Sequence, residues 1–106
     1  MVEPSSELAS PATVRVLASG FSGGEALVVS ECADKGARTG PGDCDLATAA
    51  FVSSDATGHV ETQLTVTKGP FGQNRIVCGR PFRCLVSVSQ PVPHPSEEAD
   101  APIGFR

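Results

Sequence analysis

Residues 60–67 read VETQLTVT. Val60, Thr62, Leu64 and Val66 fall on one face; Glu61, Gln63, Thr65 and Thr67 fall on the other. That period of two is the signature of a half-buried antiparallel strand, whose side chains alternate between a core and water. The same rhythm recurs outward along the chain. Residues 13–18 (TVRVLA) place Val14, Val16 and Ala18 on one side. Further strands are expected over 25–32 (EALVVSEC), 75–78 (RIVC), 85–89 (LVSVS) and 103–105 (IGF), while 51–53 (FVS) lead into a turn.

Turn chemistry separates these strands. Residues 19–24 (SGFSGG) carry paired glycines, which supply positive φ without steric cost. Residues 55–58 (DATG) form a second turn, and 35–43 (KGARTGPGD) read as a loop rich in Gly and charge. Residues 46–50 (LATAA) are ambiguous, and 68–74 form a Gly/Pro loop. Residues 1–12, broken by Pro4 and Pro11, read as an extended lead-in with an edge strand near Leu8. Residues 90–102, with four prolines and three acids, read as an exposed connection. The domain proper is therefore 13–106. Seven short strands at close spacing and no convincing helix predict an all-β fold: an antiparallel, immunoglobulin-like Greek-key β-sandwich.

Composition agrees with this reading. The chain has 106 residues, which is one domain by size. Twelve valines, 11 Gly and 9 Pro favour strands and turns over helices. No run of 18 apolar residues occurs, so no membrane partner is expected. A net charge of −4 argues against a dedicated nucleic-acid binder, which needs a basic face. Four cysteines in so short a chain point to an oxidising compartment and a secreted protein. None is in a C-x-x-C pair, so a zinc site is not expected. Three pairings are open; the local ones, Cys32 with Cys44 and Cys78 with Cys84, are the simplest.

No catalytic constellation emerges. His59 follows a turn glycine, His94 lies between two prolines, and no Ser sits in a G-x-S-x-G elbow. Asp34, Asp43 and Asp45 cluster around Cys44 in a glycine-rich loop, where solvated turn carboxylates are expected. Residues 68–83 hold Lys68, Arg75, Arg80 and Arg83 with no acid. They form either a solvated rim or a patch facing phosphate or another anion. Phe51, Phe71 and Phe82 sit at or beside loops. Such aromatics either plug the end of the core or line a ligand cleft.

The order of elements carries a resemblance. The run 14–32 (VRVLASGFSGGEALVVSEC) is similar to the block that leads to the first Cys in the neocarzinostatin family. Cys44, Phe51, 55–58 (DATG), 64–66 (LTV), Phe71, Cys78, Cys84 and 103–105 (IGF) follow in the family's order. The resemblance spans about residues 13–105. It implies two local disulfides and a secreted apoprotein that holds an apolar enediyne-type chromophore noncovalently. DNA would be met only indirectly, through the released chromophore, and the protein would be a monomeric carrier, not an enzyme. The implied cleft residues are Phe51 and Phe71, the cystine Cys32–Cys44 at its floor, and Ser89, with Ser30 and Leu85 beside them. Asp34 stands where the family carries an aromatic. That departure, with the acidic Pro-rich tail, supports a second reading: an extracellular interaction module that binds protein or polysaccharide without a chromophore.

Overall fold

A computed structural model describes residues 1–92 and 95–106. Its strands are β1 (Val2–Glu3), β2 (Ala12–Ala18), β3 (Ala26–Ala33), β4 (Ala50–Ser53), β5 (Val60–Val66), β6 (Cys84–Ser89) and β7 (Glu98–Ile103). They form two antiparallel sheets, a three-stranded one in the order β1-β2-β5 and a four-stranded one in the order β4-β3-β6-β7. The chain crosses from one sheet to the other after β2, β4 and β5. This is the immunoglobulin-like sandwich that the strand pattern predicts.

Alternation places the core. From the smaller sheet, Val14 and Val16 of β2 and Val60, Leu64 and Val66 of β5 point inward, each at most 4% exposed. Leu27 and Val29 of β3 and Val86 and Val88 of β6 meet them from the larger sheet. Arg15 faces out of the smaller sheet and bonds Glu61 across the ladder through Nε and Nη2, at 3.0 and 2.9 Å. Both disulfides are local: Cys32–Cys44 and Cys78–Cys84.

The strand count agrees with the sequence reading, but its membership does not. The lead-in 1–12 is not outside the sandwich. Val2 pairs with Val16 and is 6% exposed, because an apolar side chain at an edge position gains more from the core than from water. Leu8, expected in an edge strand, makes only an isolated parallel bridge to Phe105. Residues 75–78 are not a strand. Ile76 folds back on Phe71 in a tight hairpin, with their backbone N–H and C=O groups bonded both ways at 2.8 and 3.0 Å.

Part of the stretch expected as a connection, 90–102, is strand β7. Ala99, Ala101 and Ile103 turn inward while Glu98, Asp100 and Pro102 face out. Small inward residues and an acidic outer row hide the period of two. Pro102 is tolerated because β7 is an edge strand. The final strand accordingly ends at Ile103, not at Phe105. Loop 35–43 contains two single-turn 3-10 helices, Gly36–Arg38 and Pro41–Asp43.

Gly58 locks the turn before β5. Its φ is +83°, and a Cβ there would lie 2.0 Å from the Phe21 carbonyl oxygen. Phe21, 8% exposed, seals that end of the core. Gly58→Ala is therefore expected to cost more than about 2 kcal/mol of stability, by strain and by displacement of Phe21. Urea unfolding followed by amide NMR checks this.

Candidate functional site

Strand register sets the outer face of the four-stranded sheet row by row, because paired residues in an antiparallel ladder point the same way. Phe51 pairs with Val28, Val28 with Ser89, and Ser89 with Glu98. Two residues along, Ser30 aligns with Ser87 and Asp100. In the next row Cys32 aligns with Leu85 and Pro102. Phe51, Ser89, Ser30, Leu85 and Cys32, expected together from the sequence, thus share one face. That face is the one turned away from the core.

The face is open at one end and closed at the other. Phe51 is 77% exposed, whereas Ser30 and Cys32 are buried. Val28, Leu85, Ser87 and Ser89 are half-buried. Cys44 adds its backbone beside Cys32 as a β-bridge, so the cystine joins the sheet edge to the loop before it. Ser30 Oγ lies 3.5 Å from Cys32 Sγ.

Phe71 takes a different place. It is 7% exposed and belongs to the core cluster with Ile76 and Cys78. Phe51 and Phe71 therefore do not form one open aromatic surface. The hairpin that carries Phe71 is instead clamped to the cystine loop. Gly72 approaches so closely that a Cβ would lie 2.6 Å from the Gly42 carbonyl oxygen. The Asn74 N–H donates to that same oxygen at 3.0 Å.

Asp43 completes the clamp. Its Oδ1 accepts from Lys35 Nζ at 2.7 Å and from Asn74 Nδ2 at 2.8 Å, and its Oδ2 accepts from the Gly40 N–H. These donors, Lys35 first, hold the carboxyl down at about 2. Lys35 Nζ also stands 5.1 Å from the centroid of Phe82, which is half-buried against the core. Asp43 and Asp45 are thus buried, at 3% and 7% exposure, and not the solvated turn carboxylates expected. Asp43 finds its partners in Lys35, eight residues earlier, and in Asn74 on the distant hairpin. Only Lys35 is near enough in sequence to have signalled it.

Glu31 is the residue that sequence reasoning missed. It lies on the core side of β3 and is fully buried. Oε1 accepts from the Thr67 N–H at 2.8 Å, and Oε2 lies 3.4 Å from Cys78 Sγ. Burial, with the nearby charge of Asp45, pushes its carboxyl up to about 7. Glu31, Cys78 and Cys84 form a compact donor cluster, but the two sulfurs are joined in a disulfide and offer no thiolate to a metal.

His59 sits at the entry to β5. Its Nδ1 lies 2.8 Å from Thr57 Oγ1, and its backbone N–H donates to Asp55 Oδ1, a turn-closing arrangement. His94 lies outside the described residues. The basic stretch separates: Lys68, Arg80 and Arg83 line one cleft, and Arg75 does not.

Two sheets, two local disulfides and an outward aromatic on the larger sheet define a small cystine-stapled immunoglobulin-like sandwich. The chain belongs to the Neocarzinostatin family, whose model matches residues 1–105. Among solved structures it is similar to one named macromomycin, at 26% identity and a TM-score of 0.77, covering 100% of this chain and 96% of that one. It is also similar to apokedarcidin in solution, at 27% identity and a TM-score of 0.68 with the same coverage of both chains. No curated protein matches. The two disulfides fit an extracellular protein.

Glu31 makes stability depend on pH. A carboxyl raised in the folded state contributes most when neutral, so that contribution is complete below its ordinary value of 4.5 and fades as pH rises through about 7. The protein is expected to be less stable at pH 8 than at pH 5, by on the order of 2 kcal/mol. Thermal melts should show this drop, and Glu31→Gln, which stays neutral, should abolish it.

Proposed function

We propose that the protein is a secreted carrier that binds an apolar, enediyne-type chromophore noncovalently on the outer face of the β4-β3-β6-β7 sheet and shields it until release. DNA cleavage would follow from the released chromophore, not from protein side chains. The carrying observation is the alignment of Phe51, Val28, Ser89, Ser30 and Leu85 on that face, with Phe51 presented to solvent. Membership in the Neocarzinostatin family supports the same reading.

The energetics are direct. A ligand ring that removed Phe51 from water would contribute about 1.5–3 kcal/mol, and offset ring contact about 0.5–1.5 kcal/mol more. Half-buried Val28 and Leu85 extend the apolar strip, and the hydroxyls of Ser87 and Ser89 can orient polar groups of the ligand. The sheet and the cystine hold these side chains in place beforehand, which reduces the ordering cost of binding. All four cysteines are oxidised, so the carrier brings no thiol that would attack a reactive cargo.

One observation favours a second reading, an extracellular module that docks a protein or polysaccharide. Phe51 stands open, Phe71 is core, and neither ring lines the cavities of about 790, 660 and 20 Å³. Titration with a naphthoate ester separates the two. The chain has no Trp or Tyr, so naphthalene fluorescence is unobstructed. The carrier reading expects saturable binding, amide shifts at Val28, Phe51 and Ser89, and at least about ten-fold weaker binding in Phe51→Ala. No shift at millimolar ligand overturns it and leaves the docking module.

A further inference from the structure

A cavity of about 790 Å³ lies apart from the Phe51 end of the sheet face just described and shares with that face only Pro102. Its walls are the Cys78–Cys84 disulfide loop, Lys68, the N-terminal Ser5 and Ser6, and the segment 102–106. Lys68, Arg80, Arg83 and Arg106 line it. These are four of the chain's eight basic side chains, and none of its twelve acidic ones joins them. Among the described residues, none of the four forms an ion pair with an acidic side chain.

The walls are built, not draped. The Cys78 N–H donates to the Lys68 carbonyl at 2.8 Å, and the Gly79 N–H to the Phe82 carbonyl at 2.9 Å, which closes the disulfide loop under Arg80 and Arg83. The Gly104 N–H donates to the Ser5 carbonyl at 2.9 Å, and the Arg106 N–H to the Leu8 carbonyl at 3.0 Å. Arg106 Nε bonds the Glu7 carbonyl and Lys68 Nζ the Arg106 carbonyl, so two of the cations are held beside the opening. The Ser5 and Ser6 hydroxyls add short polar groups, and Ile103 and Phe105 supply an apolar wall.

From this arrangement we infer a second binding site, for a small oligoanion carrying two or more phosphate or sulfate groups. Guanidinium groups match such oxyanions in bidentate geometry. Cations gathered in a cleft that holds no acidic side chain focus positive potential there. The volume suits a small ligand. A long polyanion is disfavoured, because the chain as a whole carries −4 and every acid lies outside the cleft. The apolar wall can receive the carbon skeleton that bears the anionic groups.

The test is a ¹H–¹⁵N NMR titration of the intact protein with inorganic pyrophosphate, a trisulfated heparin disaccharide and a short DNA duplex. The expected result is saturable shifts at Gly79, Arg80, Arg83 and Gly104, weakened several-fold when salt is raised from 50 to 200 mM. Arg80→Gln/Arg83→Gln should raise the dissociation constant at least ten-fold while distant amides keep their positions. Tighter binding of pyrophosphate assigns phosphate as the natural group, and tighter binding of the disaccharide assigns sulfate; either supports the site. Shifts scattered over the surface, binding unchanged in the double variant, or binding to duplex DNA alone would overturn it. Because naphthoate is read at Val28, Phe51 and Ser89, failure at one site is distinguishable from failure at the other.

Discussion

Strand β3 pairs with β4 along one edge and with β6 along the other, and the register of those two ladders organises the rest of the molecule. Each residue of β3 belongs either to the core or to the outer face, with no third option, because side chains alternate strictly along a strand. Leu27, Val29 and Ala33 go inward with Val52, Val88 and Cys84. Val28, Ser30 and Cys32 go outward with Phe51, Ser87 and Leu85. A slip of one residue would bury Phe51 and expose the valines, so the core fixes the candidate binding face as surely as it fixes itself.

The same alternation forces Glu31 inward, and there the fold carries a cost. A carboxyl between two sheets is tolerated because Thr67 donates to it and because it is readily neutral there. Glu31 sits where β3 meets the end of β5 and the Cys78–Cys84 disulfide. Asp43 plays the opposite electrostatic part a short distance along the chain: it is held ionised by Lys35 and Asn74 and joins the cystine loop to the hairpin of Phe71. One buried acid is thus pushed toward its neutral form by burial and a neighbouring acid, and the other is held charged by the donors that surround it.

How far this was legible beforehand differs from element to element. Strand β5 was plain because its inward and outward residues differ sharply in polarity. Strand β7 was not: its inward residues are mostly alanine and its outward ones acidic or proline, so the alternation lacks contrast. Residues 75–78 read as a strand because Ile76 and Val77 have strand propensity, but the close approach of Gly72 to the cystine loop bends the chain back, and Ile76 closes a hairpin on Phe71. The common face of Phe51, Ser30, Ser89 and Leu85 followed from the family resemblance. The inward turn of Phe71 did not, since exposure at a loop depends on what packs against it.

Local chemistry in the sequence was enough to determine an all-β chain, most of its turns and the parity of its principal strands. Those properties depend on side-chain alternation and on glycine's access to positive φ, and both act within a few residues. Tertiary structure alone decided which turn carboxylates are buried, which phenyl ring meets solvent, and that Arg106 joins Lys68, Arg80 and Arg83 around one cleft. Those outcomes require residues tens of positions apart to meet, and long-range packing, unlike alternation, leaves no periodic mark on the chain.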